Sequence, residues 1–186
     1  MKYSSPPGFT LVELLVSIAI FSIALTAVSA VYVQGQKAAT NASINAELRQ
    51  NARVAMDRIS REIRQARVIV TELPSDEEDA VSELIFQNGH DGATTSYIRY
   101  FLDGTDLRRQ SIVYTFSVEP SVYVPYNSRD IFDNSPTGSV TADELVGEFF
   151  SGLSFWGLLP LVTIDMSLTN QTHTLPLRTA VYGRNL

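Results

Sequence analysis

One carboxylate in this 186-residue chain sits where a charge is expensive. Glu13 is the only charged residue between Phe9 and Val33, a run of apolar and small side chains. An acid at the centre of a membrane helix costs about 2.5–3.5 kcal/mol and less near the end, so such a residue needs a function and a positive partner. A cut after Gly8 would supply one, because it makes Phe9 a new N-terminus with an α-amino group four residues before Glu13 on the same helical face. Other candidate chemistry is sparse. His90 and His173 are the only histidines, and no serine–histidine–acid motif accompanies them, so no catalytic residue is assigned. Asp76, Glu77, Glu78 and Asp79, and separately Asp130, Asp133 and Asn134, offer oxygen ligands without the fixed alternation of an EF-hand loop. They read as solvated acidic turns, and Trp156 with its neighbouring phenylalanines reads as core. The expectation is a protein with no enzymatic activity, no metal and no cofactor.

The elements that place Glu13 come next. As a helix, the 25 residues from Phe9 to Val33 reach about 38 Å at ~1.5 Å per residue, against about 30 Å for a bilayer core. The preceding Met1–Gly8 is short and polar, carries only Lys2, and contains Pro6, Pro7 and Gly8, which discourage an earlier helix start. Lys2 favours a cytoplasmic N-terminus, with Lys37 beyond the span weakening that bias. A secretory signal peptide cut after Val28-Ser29-Ala30, or a plain uncleaved anchor, would also produce an apolar N-terminus. Neither gives Glu13 a role.

The stretch "GFTLVELLVSIAIF" resembles the N-terminal signature of type IV pilins and type II secretion pseudopilins: a glycine ending a short basic leader, a phenylalanine, a glutamate at the fifth position after the cut, and about twenty further apolar residues. The resemblance implies that a prepilin peptidase cuts between Gly8 and Phe9 and methylates the Phe9 amine. It implies further that Glu13 is an assembly contact, pairing with the N-terminal amine of a neighbouring subunit.

Beyond the apolar run, Leu48, Ala52, Ala55, Ile59, Ile63, Ala66 and Val70 recur at helical spacing and predict a stripe that packs on a globular head. The other faces carry arginines, with Arg53–Asp57, Asp57–Arg61 and Arg58–Glu62 four apart and able to pair. Gly35 marks the place where so long a helix would bend or loosen. From Lys37 to Arg67 basic residues outnumber acidic ones seven to three, whereas from Glu72 onward sixteen acids face six arginines. With a net charge of -6, nucleic acid is not an expected partner, and the arginine face reads as solvated or as meeting acidic neighbours in a filament. The absence of cysteine removes disulfides and thiolate sites.

After Val70 the period changes. "VSELIFQ", "TSYIRYFLD" and "LRRQSIVYTFSV" predict antiparallel strands joined by turns containing Asn-Gly and Asp-Gly pairs. Residues 119–143, with three prolines, are expected to run as surface loop. "ELVGEFFSGLSFWG" reads as a short helix or strand, and "PLVTIDMSLTN" with "HTLPLRTAVYGRN" as two closing strands. The fold class is α+β and, by the resemblance, pilin-like: a long N-terminal helix, membrane-spanning in its first half and packed by its second half on an antiparallel β-sheet head. The division expected is a leader at 1–8, a transmembrane and assembly helix at 9–33, its amphipathic continuation at 34–69 and a head at 70–186. The motifs "IRYFLDGTDLRRQ", "GLSFWGLLPLVTIDMSLTN" and "LRTAVYGRN" resemble J-type pseudopilins and related minor pilins. The partners implied are prepilin peptidase, other pilin or pseudopilin subunits and the inner-membrane assembly machinery. The implied location is the inner membrane, single-pass with an extracytoplasmic C-terminal head, and then the filament. The competing classes are a signal-anchored binding or adhesin domain and a secreted surface enzyme.

Overall fold

The computed structural model describes residues 8–89 and 95–186, so His90 and most of the turn around it lie outside the described residues. It is the expected α+β arrangement. One helix, α1 (Leu11–Gln65), is followed by antiparallel strands in two sheets, and the chain divides into two compact units after Ile44.

In the first unit every described residue from Gly8 to Ser43 is exposed. Its hydropathy reaches a mean of 2.5 over 18 residues, long and apolar enough to cross a membrane. Gly35 does not interrupt the helix, contrary to the loosening expected there. The hydroxyls in this run satisfy themselves by donating to carbonyls four residues back: Ser17 to Glu13, Ser22 to Ile18, Thr26 to Ser22 and Ser29 to Leu25, at 2.7–2.8 Å. In a medium without water, no lone hydroxyl is left to lipid.

In the second unit the helix buries one stripe. Leu48, Ala52, Ala55, Ile59, Ile63 and Ala66 are at most 1% exposed, as the spacing predicted. The helix ends at Gln65, earlier than expected, and Val70 does not continue the stripe. Val68, Ile69, Val70 and Thr71 are β-branched and favour extended backbone. They pair instead with strand β1 (Leu84–Gln87): the Gln87 amide donates to the Val68 carbonyl at 2.8 Å and the Val70 amide to Ile85 at 2.8 Å. The helix terminus is closed by distant backbone. The Arg184 amide donates to the Arg64 carbonyl at 3.3 Å, and Gly89 lies so close that a Cβ there would stand 1.6 Å from the Gln65 carbonyl oxygen.

The first sheet contains β1, β2 (Ser96–Asp103), β3 (Asp106–Phe116), β4 (Glu119–Val124) and β5 (Thr137–Gly147); β3 pairs with β2, β4 and β5. The Asp103–Asp106 hairpin turns through Gly104 at φ +64°, where the Asp-Gly pair predicted it. The expected loop at 119–143 is corrected, since β4 and most of β5 lie inside it. The second sheet is β6 (Phe150–Trp156), β7 (Leu161–Asn170) and β8 (His173–Tyr182) in that order, with Phe150, Phe155, Val162, Ile164, Met166 and Leu168 buried. Pro176, opposite Ser167, interrupts the free edge of β8 and blunts edge-to-edge pairing.

Strand register lays Leu84, Tyr100, Arg109 and Glu144 in one row across the first sheet. Three of these meet α1. The Tyr100 hydroxyl donates to Glu62 Oε2 at 2.8 Å, and Arg109 Nε donates to both Glu62 oxygens at 3.0–3.1 Å. Arg58 reaches Glu144 and lies 3.6 Å from Glu62. Arg58 is thus part-buried and bound to acids of its own head, whereas the sequence placed it on a solvated or neighbour-facing surface; Arg58–Glu62 and Arg53–Asp57 form as expected, the latter at 3.8 Å, and Asp57 and Arg61 make no ion pair within 4.0 Å. Burial and the Glu62 charge push the Tyr100 phenol up, so it stays a donor.

Removing Arg109 leaves the part-buried Glu62 carboxylate without its main counter-charge. Arg109→Met is expected to destabilise the full chain in detergent by about 3–5 kcal/mol, and Arg109→Met with Glu62→Met by much less. Equal losses in single and double variants by urea denaturation would mean that the pair does not couple. The hydrogen bond from Arg58 holds the Glu144 carboxyl below its ordinary value of 4.5. Protonation in the unfolded chain therefore precedes protonation in the folded one as pH falls, so this stabilisation is complete above about 4.5 and is lost below it. Glu144→Gln should flatten the denaturation midpoint between pH 5 and 3.

Candidate assembly site at the helix N-terminus

Gly8, Phe9 and Glu13, the residues singled out by sequence, stand together at the start of α1, with Thr10 between them. Gly8 is exposed, and among the described residues a Cβ added there would meet nothing within 4 Å. Phe9 is 83% exposed and precedes the helix.

Thr10 is the residue that sequence reasoning missed. It occupies the position just before α1, and its amide donates to Glu13 Oε2 at 2.9 Å. Its hydroxyl donates to the same oxygen at 2.9 Å and accepts from the Glu13 amide at 3.3 Å. This reciprocal pattern is a capping box, in which Thr10 and Glu13 satisfy backbone donors that the first helical turn leaves without partners. The signal was present as Thr10-Leu11-Val12-Glu13, a Thr-x-x-Glu motif before an apolar run. Phe9 and Leu14, at the two positions that form a hydrophobic staple around such a box, line one apolar groove with Ser17, Ile18 and Phe21.

The box answers part of what keeps Glu13 in an apolar helix. The carboxylate caps backbone, and its charge lies at the positive end of the helix dipole. Both of its bonds from Thr10 go to Oε2; among the described residues Oε1 accepts none. One oxygen is thus engaged locally and the other is open to a second donor.

The other flagged residues are dispersed. His173 opens β8 opposite Asn170. The Asp130 carboxylate accepts from the Phe132 and Asn134 amides at 2.8 Å and from the Asn134 side chain at 2.9 Å, making a self-bonded turn. Glu77 is held by Arg178 at 2.6 Å, and Arg178 also stacks 4.9 Å over the buried Trp156. Among the described residues no three His, Asp or Glu side chains stand together as a metal site.

The prokaryotic N-terminal methylation motif matches residues 7–29, which contain all four residues of the terminal site. The chain therefore carries the N-terminal signature of type IV pilin-like precursors, on a pilin-like α+β fold. Neither the curated proteins nor the solved structures compared with it give a match.

Thr10→Val removes the capping hydroxyl while keeping the shape of the side chain. Amide exchange at Leu11–Leu14 in micelles is expected to speed up by about 5–10-fold, corresponding to roughly 1 kcal/mol of capping, with Thr10→Ser close to wild type. Unchanged exchange in Thr10→Val would show that the box does not stabilise the first turn.

Proposed function

We propose that this chain is a structural subunit, a minor pilin or pseudopilin, of a type IV pilus or type II secretion-like filament. The observation that carries the reading is the methylation motif over residues 7–29, with Glu13 the only charge in the apolar run behind it. In this reading prepilin peptidase removes residues 1–8 by cutting between Gly8 and Phe9, and the Phe9 amine is methylated. Residues 9–33 hold the subunit in the inner membrane in a single pass, residues 34–69 continue the helix, and residues 70–186 complete an extracytoplasmic head. The inner-membrane assembly machinery then stacks it with other pilin or pseudopilin subunits.

Glu13 carries the assembly step. An amine on a neighbouring Phe9 neutralises the carboxylate where charge is least tolerated, and the open Oε1 provides the acceptor. The capping box favours a second role for the same residue, stabilisation of its own helix start. The two roles have separable consequences. Loss of a local cap frays one turn, whereas loss of an intersubunit ion pair leaves intact monomers that do not assemble.

Gly8→Leu is expected to accumulate full-length precursor in the membrane, read by mass; a Gly8→Leu chain still starting at Phe9 would remove the peptidase assignment. Glu13→Val should be cut normally, since the cut lies five residues earlier, yet cross-linking between neighbouring N-termini should fall by about tenfold or more. Undiminished cross-linking in Glu13→Val would leave Glu13 with the capping role alone.

A further inference from the structure

Of the twelve arginines of the head, six pair internally and four line one face of α1, while Arg67 and Arg184, with no ion pair within 4.0 Å among the described residues, lie outside both groups. Arg58, Arg99, Arg108, Arg109, Arg129 and Arg178 each pair with an acid of the same chain. Arg49, Arg61 and Arg64 have no acidic partner within 4.0 Å among the described residues, and Arg53 has only the loose 3.8 Å contact to Asp57 with its side chain 85% exposed. These four lie with Asp57 along one exposed face of α1, at spacings of four, four, four and three. Over the 15 residue steps from Arg49 to Arg64 the stripe extends about 22 Å.

A matching surface of opposite sign stands on the same head. Asp76, Glu77, Glu78 and Asp79 are exposed and line one concavity. The backbone around it is pinned to the second sheet on both sides: the Gly157 amide donates to Pro74 at 2.8 Å, and Val81 and Phe155 exchange two backbone hydrogen bonds at 2.8–3.0 Å. Arg178 fixes Glu77, and Ser75 donates to Asp76 at 2.9 Å. Glu78 and Asp79 have no cationic partner among the described residues.

We infer that the arginine stripe of one copy docks into the acidic concavity of a second copy of this chain. The occupant follows from charge complementarity. A fixed cup of carboxylates suits the planar guanidinium fork, which binds two oxygens at once, and the chain spends its other paired arginines internally. Because stripe and cup are different surfaces, the contact is head-to-tail and can repeat along a row. It rests on the filament reading only in requiring copies to lie side by side.

The chain has no cysteine, so introduced thiols report cleanly. Two differently tagged full-length copies, one Val54→Cys beside the stripe and one Ser82→Cys beside the cup, are expressed together in membranes and joined with a short bis-maleimide. A mixed-tag dimer is expected. It should fall about tenfold when the first copy also carries Arg49→Glu, Arg53→Glu and Arg64→Glu, and recover when the second carries Glu78→Arg and Asp79→Arg; about 0.5 M salt should weaken the wild-type product. No mixed dimer, a dimer indifferent to charge reversal, or capture of only a different protein would overturn the inference. Glu13-dependent cross-linking of N-termini, measured in the same membranes, separates the two readings: if it persists while the stripe-to-cup product is absent, only the docking fails.

Discussion

The structure of the head depends on the burial of one helical stripe. Ala52 and Ala55 within the helix and Ala66 just past its end are fully buried, while Leu48, Ile59 and Ile63 supply the volume that fills the core. Both sheets then have a surface to close on. The row Tyr100, Arg109 and Glu144 ties the first sheet to one stretch of α1, through Glu62 for Tyr100 and Arg109 and through Arg58 for Glu144. No buried side-chain polar atom among the described residues is left without a partner.

The same helix meets two different demands before and after Ile44. Toward its N-terminus, exposed apolar side chains surround a backbone that closes its own hydrogen bonds, and the few hydroxyls fold back on it. Further along, polarity returns to every face except the buried stripe. Glu13 departs from the first pattern, and its position explains how it is tolerated: it lies in the first turn, where amides lack carbonyl partners and a carboxylate is an asset. The local cap uses one oxygen and leaves the other without a donor among the described residues, which is what the proposed intersubunit contact requires. Capping and assembly are therefore compatible on a single residue.

Much of this was legible in the sequence because burial imposes a period. The stripe from Leu48 to Ala66 could be read from spacing alone, as could β2, β3, β7 and β8 with their alternating faces. β4 and β5 could not, since nearly all their residues are exposed and they are held by pairing with β3 rather than by an apolar face. The helix end was misplaced because Val70 happens to fall in phase with the stripe, although its β-branched neighbours favour the extended pairing with β1. Arg58 looked like a partner for Glu62 four residues away; its stronger contact, Glu144, is 86 positions distant and invisible to local pattern. At the terminal site Gly8, Phe9 and Glu13 were evident from residue type and order. Thr10 was overlooked although its Thr-x-x-Glu spacing states its role.

The central claim is that this chain is a processed filament subunit whose new N-terminus is Phe9. Its most direct test is the intact mass of the mature protein purified from its native membrane, with fragment ions covering the N-terminus. The account predicts loss of residues 1–8 and a single methyl group on the Phe9 amine. A mature chain beginning at Met1 or at Val31 would contradict it.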